Sequence, residues 1–225
     1  MSRKPTALLV LIFALCGCAE GGSRGSGISM SVFGNVVRVQ TTAPATPAGD
    51  MTPAVGTPQP AGAGTDLQGI EVSIEGTQVR GTTDADGNFS IAGDFEGWVN
   101  LVFSLPNQGG EARASLNVPA AGMLTLHNVV LYTHSGDAVA ETQAVQFDSI
   151  ITGIDCPGQI LTLVSSQRGP GDDDNYRLRL DSSTIVNGTG QQVPCAALQL
   201  NEQAAIDGFV DPEGSFYNAT VTLQN

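Results

Sequence analysis

Most of this chain alternates apolar and polar residues with a period of two, and this alternation constrains its fold more than any other feature. Residues 70–75 read IEVSIE, and residues 112–118 repeat the pattern as ARASLNV. Such alternation puts the apolar side chains of a strand on one face and the polar ones on the other. No segment keeps a helical period over a useful length, and the 28 glycines and 12 prolines fall mainly between the alternating runs. The sequence therefore predicts an all-β protein.

The first 18 residues, MSRKPTALLVLIFALCGC, have the layout of a bacterial lipoprotein signal. Two positive residues precede an apolar run at 7–15 that is too short to span a bilayer. The run ends in LCGC, which resembles a lipobox with Cys18 as the lipidated residue. This resemblance implies a membrane anchor of two or more acyl chains, and Ala19 after the cysteine favours the outer membrane. An ordinary secretory signal that is cut nearby is the alternative interpretation.

The charge balance excludes several classes of function. Without residues 1–18, seven basic residues remain against 22 acidic ones, which gives a net charge of 7 − 22, or −15. Lys4 is the only lysine in the chain, so a P-loop, a Schiff-base lysine and a Ser-Lys nucleophile are excluded. A nucleic-acid partner is excluded as well, because phosphate binding needs clustered basic residues.

Two cysteines lie outside the signal, Cys156 and Cys195. In an exported protein this pair is expected to form a disulfide. Closing a loop of about 39 residues would stabilise the fold by roughly 4 kcal/mol. Metal ligation by the same two residues is a poor alternative, because neither belongs to a CxxC pair.

The N-terminal half is predicted to hold one domain with a long insert. Residues 19–30 are a glycine- and serine-rich tether, and residues 31–40 have the β-branched content of a first strand. Residues 41–66 contain five prolines and almost no large apolar side chains, which is typical of a flexible loop or linker. After this insert, residues 79–83 and 88–91 are predicted to form a hairpin around the tight turn DADG.

Two motifs in this half carry a resemblance to a known family. They are LQGIEVSIEGT at 67–77 and TTDADGNF at 82–89. In pattern and spacing they resemble the carboxypeptidase regulatory-like domains, over residues 31–132. The resemblance implies a prealbumin-like, or Ig-like, β-sandwich, and the 26-residue insert at 41–66 departs from the family pattern.

The C-terminal half follows residues 133–144, a polar linker with room for one or two helical turns. Residues 145–225 show five further strands, predicted at 145–154, 159–165, 176–180, 204–210 and 217–223. Residues 195–198, CAAL, are the best place for a short helix after the third of them. This order is that of an OB-like barrel. The half also resembles a bacterial family of exported OB-like domains of unknown function, through the segments ITGI, STIV, AIDG and ATVTL.

Two acidic segments are candidates for calcium binding. Asp84, Asp86 and Asn88 have the spacing that begins an EF-hand loop, but the glycine stands at the fourth position instead of the sixth. A turn is the favoured interpretation there. The run DDDN at 172–175 is either a weak calcium site or a solvated loop. Solvation is favoured, since adjacent acidic residues on a loop point in different directions.

No catalytic motif or cofactor motif can be assigned. His127 and His134 are the only histidines, without an HExxH or a supported Ser-His-Asp order. Opposed carboxylates for glycoside hydrolysis stay open, because such pairing is spatial. Trp98, with Tyr132, Tyr176 and Tyr217, would offer a sugar-stacking platform if exposed, although a role in the core or at its rim is favoured for the tryptophan.

These observations predict a lipid-anchored bacterial envelope protein with a non-catalytic interaction or scaffolding role. Its expected partners are the membrane, through the N-terminal lipid on Cys18, and an envelope protein or polysaccharide. A carbohydrate-binding surface module, with Trp98 as the ligand contact, is the second interpretation. An envelope enzyme is the third, and no cofactor is expected.

Overall fold

The computed structural model describes residues 29–40, 67–106, 109–167 and 175–224, and there the chain is all-β, as its alternation predicts. The strands are β1 (Met30–Gln40), β2 (Glu71–Ile74), β3 (Arg80–Thr82), β4 (Asn88–Gly93), β5 (Gly97–Ser104), β6 (Glu111–Val118), β7 (Gly122–Tyr132), β8 (Asp137–Val139), β9 (Thr142–Asp155), β10 (Ile160–Ser165), β11 (Tyr176–Arg179), β12 (Thr184–Val186), β13 (Gln203–Val210) and β14 (Phe216–Leu223). A 3₁₀ turn at Cys195–Ala197 falls where the short helix is predicted. The signal with Cys18, most of the tether, the insert at 41–66 and residues 172–174 lie outside the described residues.

The first eight strands form two rows within one continuous sheet. In one row, β1 pairs antiparallel with β4 and parallel with β7. The other row runs in the order β3-β2-β5-β6-β8, and β8 also pairs with β7 and so joins the two rows. The rings of Phe89 in β4 and Phe103 in β5 meet edge to face with their centroids 5.5 Å apart. The two rows therefore face each other across a shared apolar core.

The hairpin predicted around the DADG turn is wrong in its pairing. β3 pairs with β2, with Ser73 opposite Arg80, whereas β4 pairs with β1. The turn thus carries the chain from one row of strands to the other. The connections 75–79 and 83–87 are equally short, so closeness in the chain does not decide between the two pairings. The difference lies in β1, which takes β4 as its antiparallel partner.

The helical turns considered for residues 133–144 do not form, and this segment contains β8 and the start of β9. Val139 of β8 lies opposite Val130 of β7, and Arg113 of β6 lies opposite Asp137. Pairing with strands on both sides satisfies the backbone of this short polar segment, which decides its conformation over any local helical preference.

Five strands of the C-terminal half close into a ring of pairings. The order is β9-β10-β11-β14-β13 and back to β9, and the β11–β14 contact that closes it is parallel. The rings of Phe147, Tyr176 and Phe216 meet inside, with centroids 5.2–5.7 Å apart. The predicted disulfide is confirmed: Cys156 follows β9 and bonds to Cys195, with their Cα atoms 5.8 Å apart.

The two halves are joined by a ladder and by packing. β7 pairs with β9 from Met123 opposite Gln146 to His127 opposite Thr142, and one cluster of buried apolar residues runs through both halves. Tyr176 lies on β11, in the ring of strands, and its hydroxyl donates a hydrogen bond to the Val118 carbonyl oxygen of the first half at 3.1 Å. Within the described residues, no helix is long and apolar enough to cross a membrane.

Candidate functional site

Trp98 is exposed, with 58% of its surface open to solvent. The prediction that Trp98 lies in the core is therefore wrong, and of the two predicted positions only the one at the rim agrees with this exposure. Trp98 lies on the outer face of β5 and reaches the turn between β13 and β14. A Cβ built on Gly214 there would lie 2.9 Å from Cζ2 of the indole. The absence of a side chain at Gly214 therefore lets the two halves meet at the edge of the indole.

Polar groups continue along the same sheet face from the exposed indole. Asn117 is the cross-strand partner of Trp98 on β6, and Asn100 lies two residues along β5. The Asn100 amide donates to Glu75 at 2.7 Å, and the Arg113 guanidinium lies 3.8 Å from the same carboxylate. An aromatic face beside amide, carboxylate and guanidinium groups is chemically suited to a sugar ring, which stacks on the aromatic and hydrogen-bonds at its rim.

The tyrosines do not join Trp98 in one platform. Tyr176 is buried, with 2% of its surface exposed. Tyr132 packs edge to face against His134, with their ring centroids 6.0 Å apart, and Tyr217 packs on Phe209 at the same distance. Trp98 is thus the one member of the predicted aromatic set that is largely open to solvent.

The DADG turn is built by its first carboxylate. Asp84 accepts backbone hydrogen bonds from Asp86 and Asn88, both at 2.9 Å, and a third from the Asn88 side chain. The bond from the Asn88 side chain is the main cause that lowers the pKa of Asp84 below its usual value. Gly87 has a φ of 81°, and a Cβ there would lie 2.1 Å from the Val36 carbonyl oxygen. These contacts use the Asp84 carboxylate to hold the turn.

The histidines lie apart on the surface, His127 within β7 opposite Thr142 of β9 and His134 in the turn between β7 and β8. Both His127 and His134 are exposed. Among the residues that the structure describes, no three His, Cys, Asp or Glu side chains are grouped so as to hold a metal ion. The acidic run at 172–175 is described only at Asn175, so its calcium hypothesis falls outside the described residues.

A groove that sequence reasoning missed opens where the outer faces of both halves meet. Its volume is about 640 Å³. The ladders align Ser31, Met123, Gln146, Asp207 and Thr220 in one row across β1, β7, β9, β13 and β14. The residues that line it are Ser31, Phe33, Ala121, Gly122, Met123, Gln146, Phe147, Asp148, Ser166, Gln167, Ala205, Ile206, Asp207, Thr220 and Thr222.

One wall of this groove is apolar. Phe33 is 37% exposed and Met123 is 42% exposed, although both lie at outward positions where the alternation would place polar residues. Gly122, at the start of β7, has a φ of 130°, and a Cβ there would lie 2.3 Å from the Gln146 carbonyl oxygen. Its missing side chain therefore allows the close approach of β7 to β9 that places Met123 at the groove.

The floor of the groove is acidic. The Gln146 amide donates to Asp207 at 3.0 Å, and the Gln224 amide donates to Asp148 at 2.8 Å. The residues that line the groove, all of them described, include no arginine, lysine or histidine. The two carboxylates thus accept hydrogen bonds from neutral amides, and no described residue of the lining balances their negative charge.

No protein-family model, curated protein or solved structure matches this chain at a significant level.

Proposed function

We propose that this protein is a lipid-anchored component of a bacterial cell envelope with a non-catalytic interaction role, and that the groove is where a protein partner docks. The anchor is the lipid on Cys18, in the outer membrane. The observation that carries the docking role is the groove itself, in which Phe33 and Met123 stand exposed at the junction of the two halves.

Exposed apolar side chains in a concave site favour binding over mere solvation. The apolar surface of Phe33 and Met123 is removed from water only when a partner covers it. Aromatic and Met residues are enriched in protein interfaces. Because strands of both halves supply the groove, its shape is held by the ladder between β7 and β9 and not by a single loop. Such a preformed site binds without a large ordering cost.

We further propose that the two halves are a prealbumin-like sandwich and an OB-like barrel. The closed order of β9, β10, β11, β14 and β13 supports the barrel, together with the 3₁₀ turn at Cys195–Ala197 between its third and fourth strands. The two facing rows of β1 to β8, with the Phe89–Phe103 contact between them, support the sandwich.

Photo-crosslinking in intact cells tests the docking role. A benzophenone amino acid at Met123 is expected to form a discrete adduct in the membrane fraction, because this position faces the groove. The matched position is Val139, which is 52% exposed on β8 and does not line the groove. Equal adducts at both positions, or none at Met123, would contradict the proposal. The Cys18→Ser variant is expected to lose the membrane association of the chain and of its adduct.

Carbohydrate binding is a second candidate function, and the exposure of Trp98 favours it. The indole lies open above a face that offers the Asn117 and Asn100 amides and the paired Glu75 and Arg113 side chains. A pyranose that stacks on the ring would have the Asn117 and Asn100 amides nearest to its edge, with Glu75 and Arg113 further along the same face.

Co-sedimentation with isolated cell-wall and surface polysaccharides tests this candidate. If one of them binds, Trp98→Ala is expected to weaken binding by about tenfold or more, since stacking on one aromatic side chain contributes of order 1–2 kcal/mol. Leu200→Ala is the matched control, because Leu200 is also 58% exposed. Saturable binding that is unchanged in Trp98→Ala would rule out the indole as the contact, and absence of binding to every polysaccharide would remove this candidate.

A further inference from the structure

We propose that the groove recognises a partner segment in which a lysine or arginine stands close to an apolar side chain. This inference rests on the docking role proposed for the same groove and names the chemistry of its occupant. It follows from three properties of the described residues: the spacing of the two carboxylates, the missing counter-charge and the position of the apolar wall.

The two carboxylates are spaced to share one cation. Asp148 lies opposite Ala205, and Asp207 lies opposite Gln146, so the two acidic residues are diagonal neighbours on β9 and β13. Diagonal neighbours on one face of an antiparallel pair are about 7–8 Å apart. A guanidinium or ammonium group placed between them can reach both side chains. Each carboxylate has about four acceptor positions, and the structure shows one side-chain donor on each.

None of the described residues that line the groove is basic, so none of them supplies a counter-charge. The chain after residue 18 has no lysine and a net charge of −15, from 7 − 22, so its own surplus charge is negative. A second copy of the chain would bring the same excess of negative charge to the contact. A basic partner segment is complementary, and the surplus charge of the whole chain would draw it towards the groove.

The apolar wall sets where the second anchor of the segment falls. Met123 and Asp207 lie in the same row, two strands apart, which is about 10 Å across a sheet. In an extended segment, side chains two residues apart are about 7 Å from each other on the same face. The long stem of a lysine or arginine covers the remaining distance. The cation can therefore sit at the carboxylates while the apolar side chain two residues away packs on Met123 and Phe33.

Three labelled hexapeptides test the inference by fluorescence anisotropy, with the full lipidated chain in nanodiscs of neutral lipid and empty discs as the blank. The first peptide is Leu-Ser-Lys-Ser-Leu-Ser, which places leucine and lysine two residues apart on one face of an extended segment. The second has glutamate in place of the lysine, and the third has serine in place of both leucines. At about 0.1 M salt, the first is expected to bind saturably. The second is not expected to bind. The third is expected to bind at least about tenfold more weakly than the first, because it lacks the apolar anchor.

Paired variants assign this binding to the groove. Asp148→Asn with Asp207→Asn keeps the size and one acceptor oxygen of each side chain while it removes both charges, and it is expected to weaken binding of the leucine–lysine peptide by about tenfold or more. Asp137→Asn with Glu213→Gln removes the same charge from exposed positions that do not line the groove, and it is expected to change binding by less than about twofold.

Each other outcome overturns the inference. Equal binding of the leucine–glutamate peptide would show that charge is not read. An equal loss in both double variants would show a diffuse attraction only. Competition by millimolar calcium that is abolished in Asp148→Asn with Asp207→Asn would assign the carboxylates to a divalent cation. Crosslinking at Met123 in cells without binding of the leucine–lysine peptide would overturn this chemistry and leave the docking role standing, whereas failure of both would remove both.

Discussion

Replacement of both cysteines of the disulfide is expected to lower the free energy of unfolding by about 4 kcal/mol. The sequence separation of 39 residues between Cys156 and Cys195 sets this value, since a longer closed loop restricts the unfolded chain more strongly. The bond also ties the end of β9 to the 3₁₀ turn that precedes β13, so it holds two neighbouring strands of the ring at their connections.

The measurement is denaturant unfolding of the Cys156→Ser, Cys195→Ser double variant against the unaltered chain. Reduction of the unaltered chain with dithiothreitol should produce the same loss without any change of side chain. Because Cys195 packs against the apolar core, the double alanine variant separates the lost cross-link from the burial of a serine hydroxyl. A loss below about 1 kcal/mol in all three cases would contradict the loop-closure account.

Phe216→Ala is expected to cost about 3–5 kcal/mol, since it leaves a cavity in the centre of the ring. Phe216 is fully buried, and its ring centroid lies 5.2 Å from that of Phe147 and 5.6 Å from that of Tyr176. Its backbone position is equally important, because the pair of Leu178 with Phe216 is the register contact at which β11 meets β14 and the ring closes.

Tyr217→Ala is the matched control for this variant. The two residues are neighbours on β14, but Tyr217 faces outward and is only partly buried against Phe209. Its loss is expected to cost about 1–1.5 kcal/mol. Urea unfolding measures both values, and hydrogen exchange should show that Phe216→Ala opens β11 before β9. Equal costs for the two variants would mean that the ring interior is not the stabilising core of this half.

The aromatic positions show how far local pattern extends. Val99, Leu101 and Phe103 mark one face of β5 at a period of two, so the same pattern puts Trp98 on the opposite, outer face with Asn100. The exposure of Trp98 was therefore present in the sequence, and the expectation of a core position followed residue type over period. Five of the six strands of the C-terminal half (all except β12), the disulfide and the DADG turn could likewise be predicted, because each depends on residues close together in the chain or on a single possible cysteine pair.

The groove could not be predicted, because its members come together only through strand register. Phe33, Met123 and Asp207 lie in β1, β7 and β13, and nothing local in any of these strands states which neighbour it takes. The same reason explains why β3 pairs with β2 and not with β4. Sequence by itself determined the all-β class, most strand positions, the cysteine pair and the excess of negative charge, since period, composition and side-chain chemistry are local properties. Tertiary structure alone decided the pairing partners and the face shared by both halves, because a shift or exchange of strands conserves local pattern while changing every contact between distant residues.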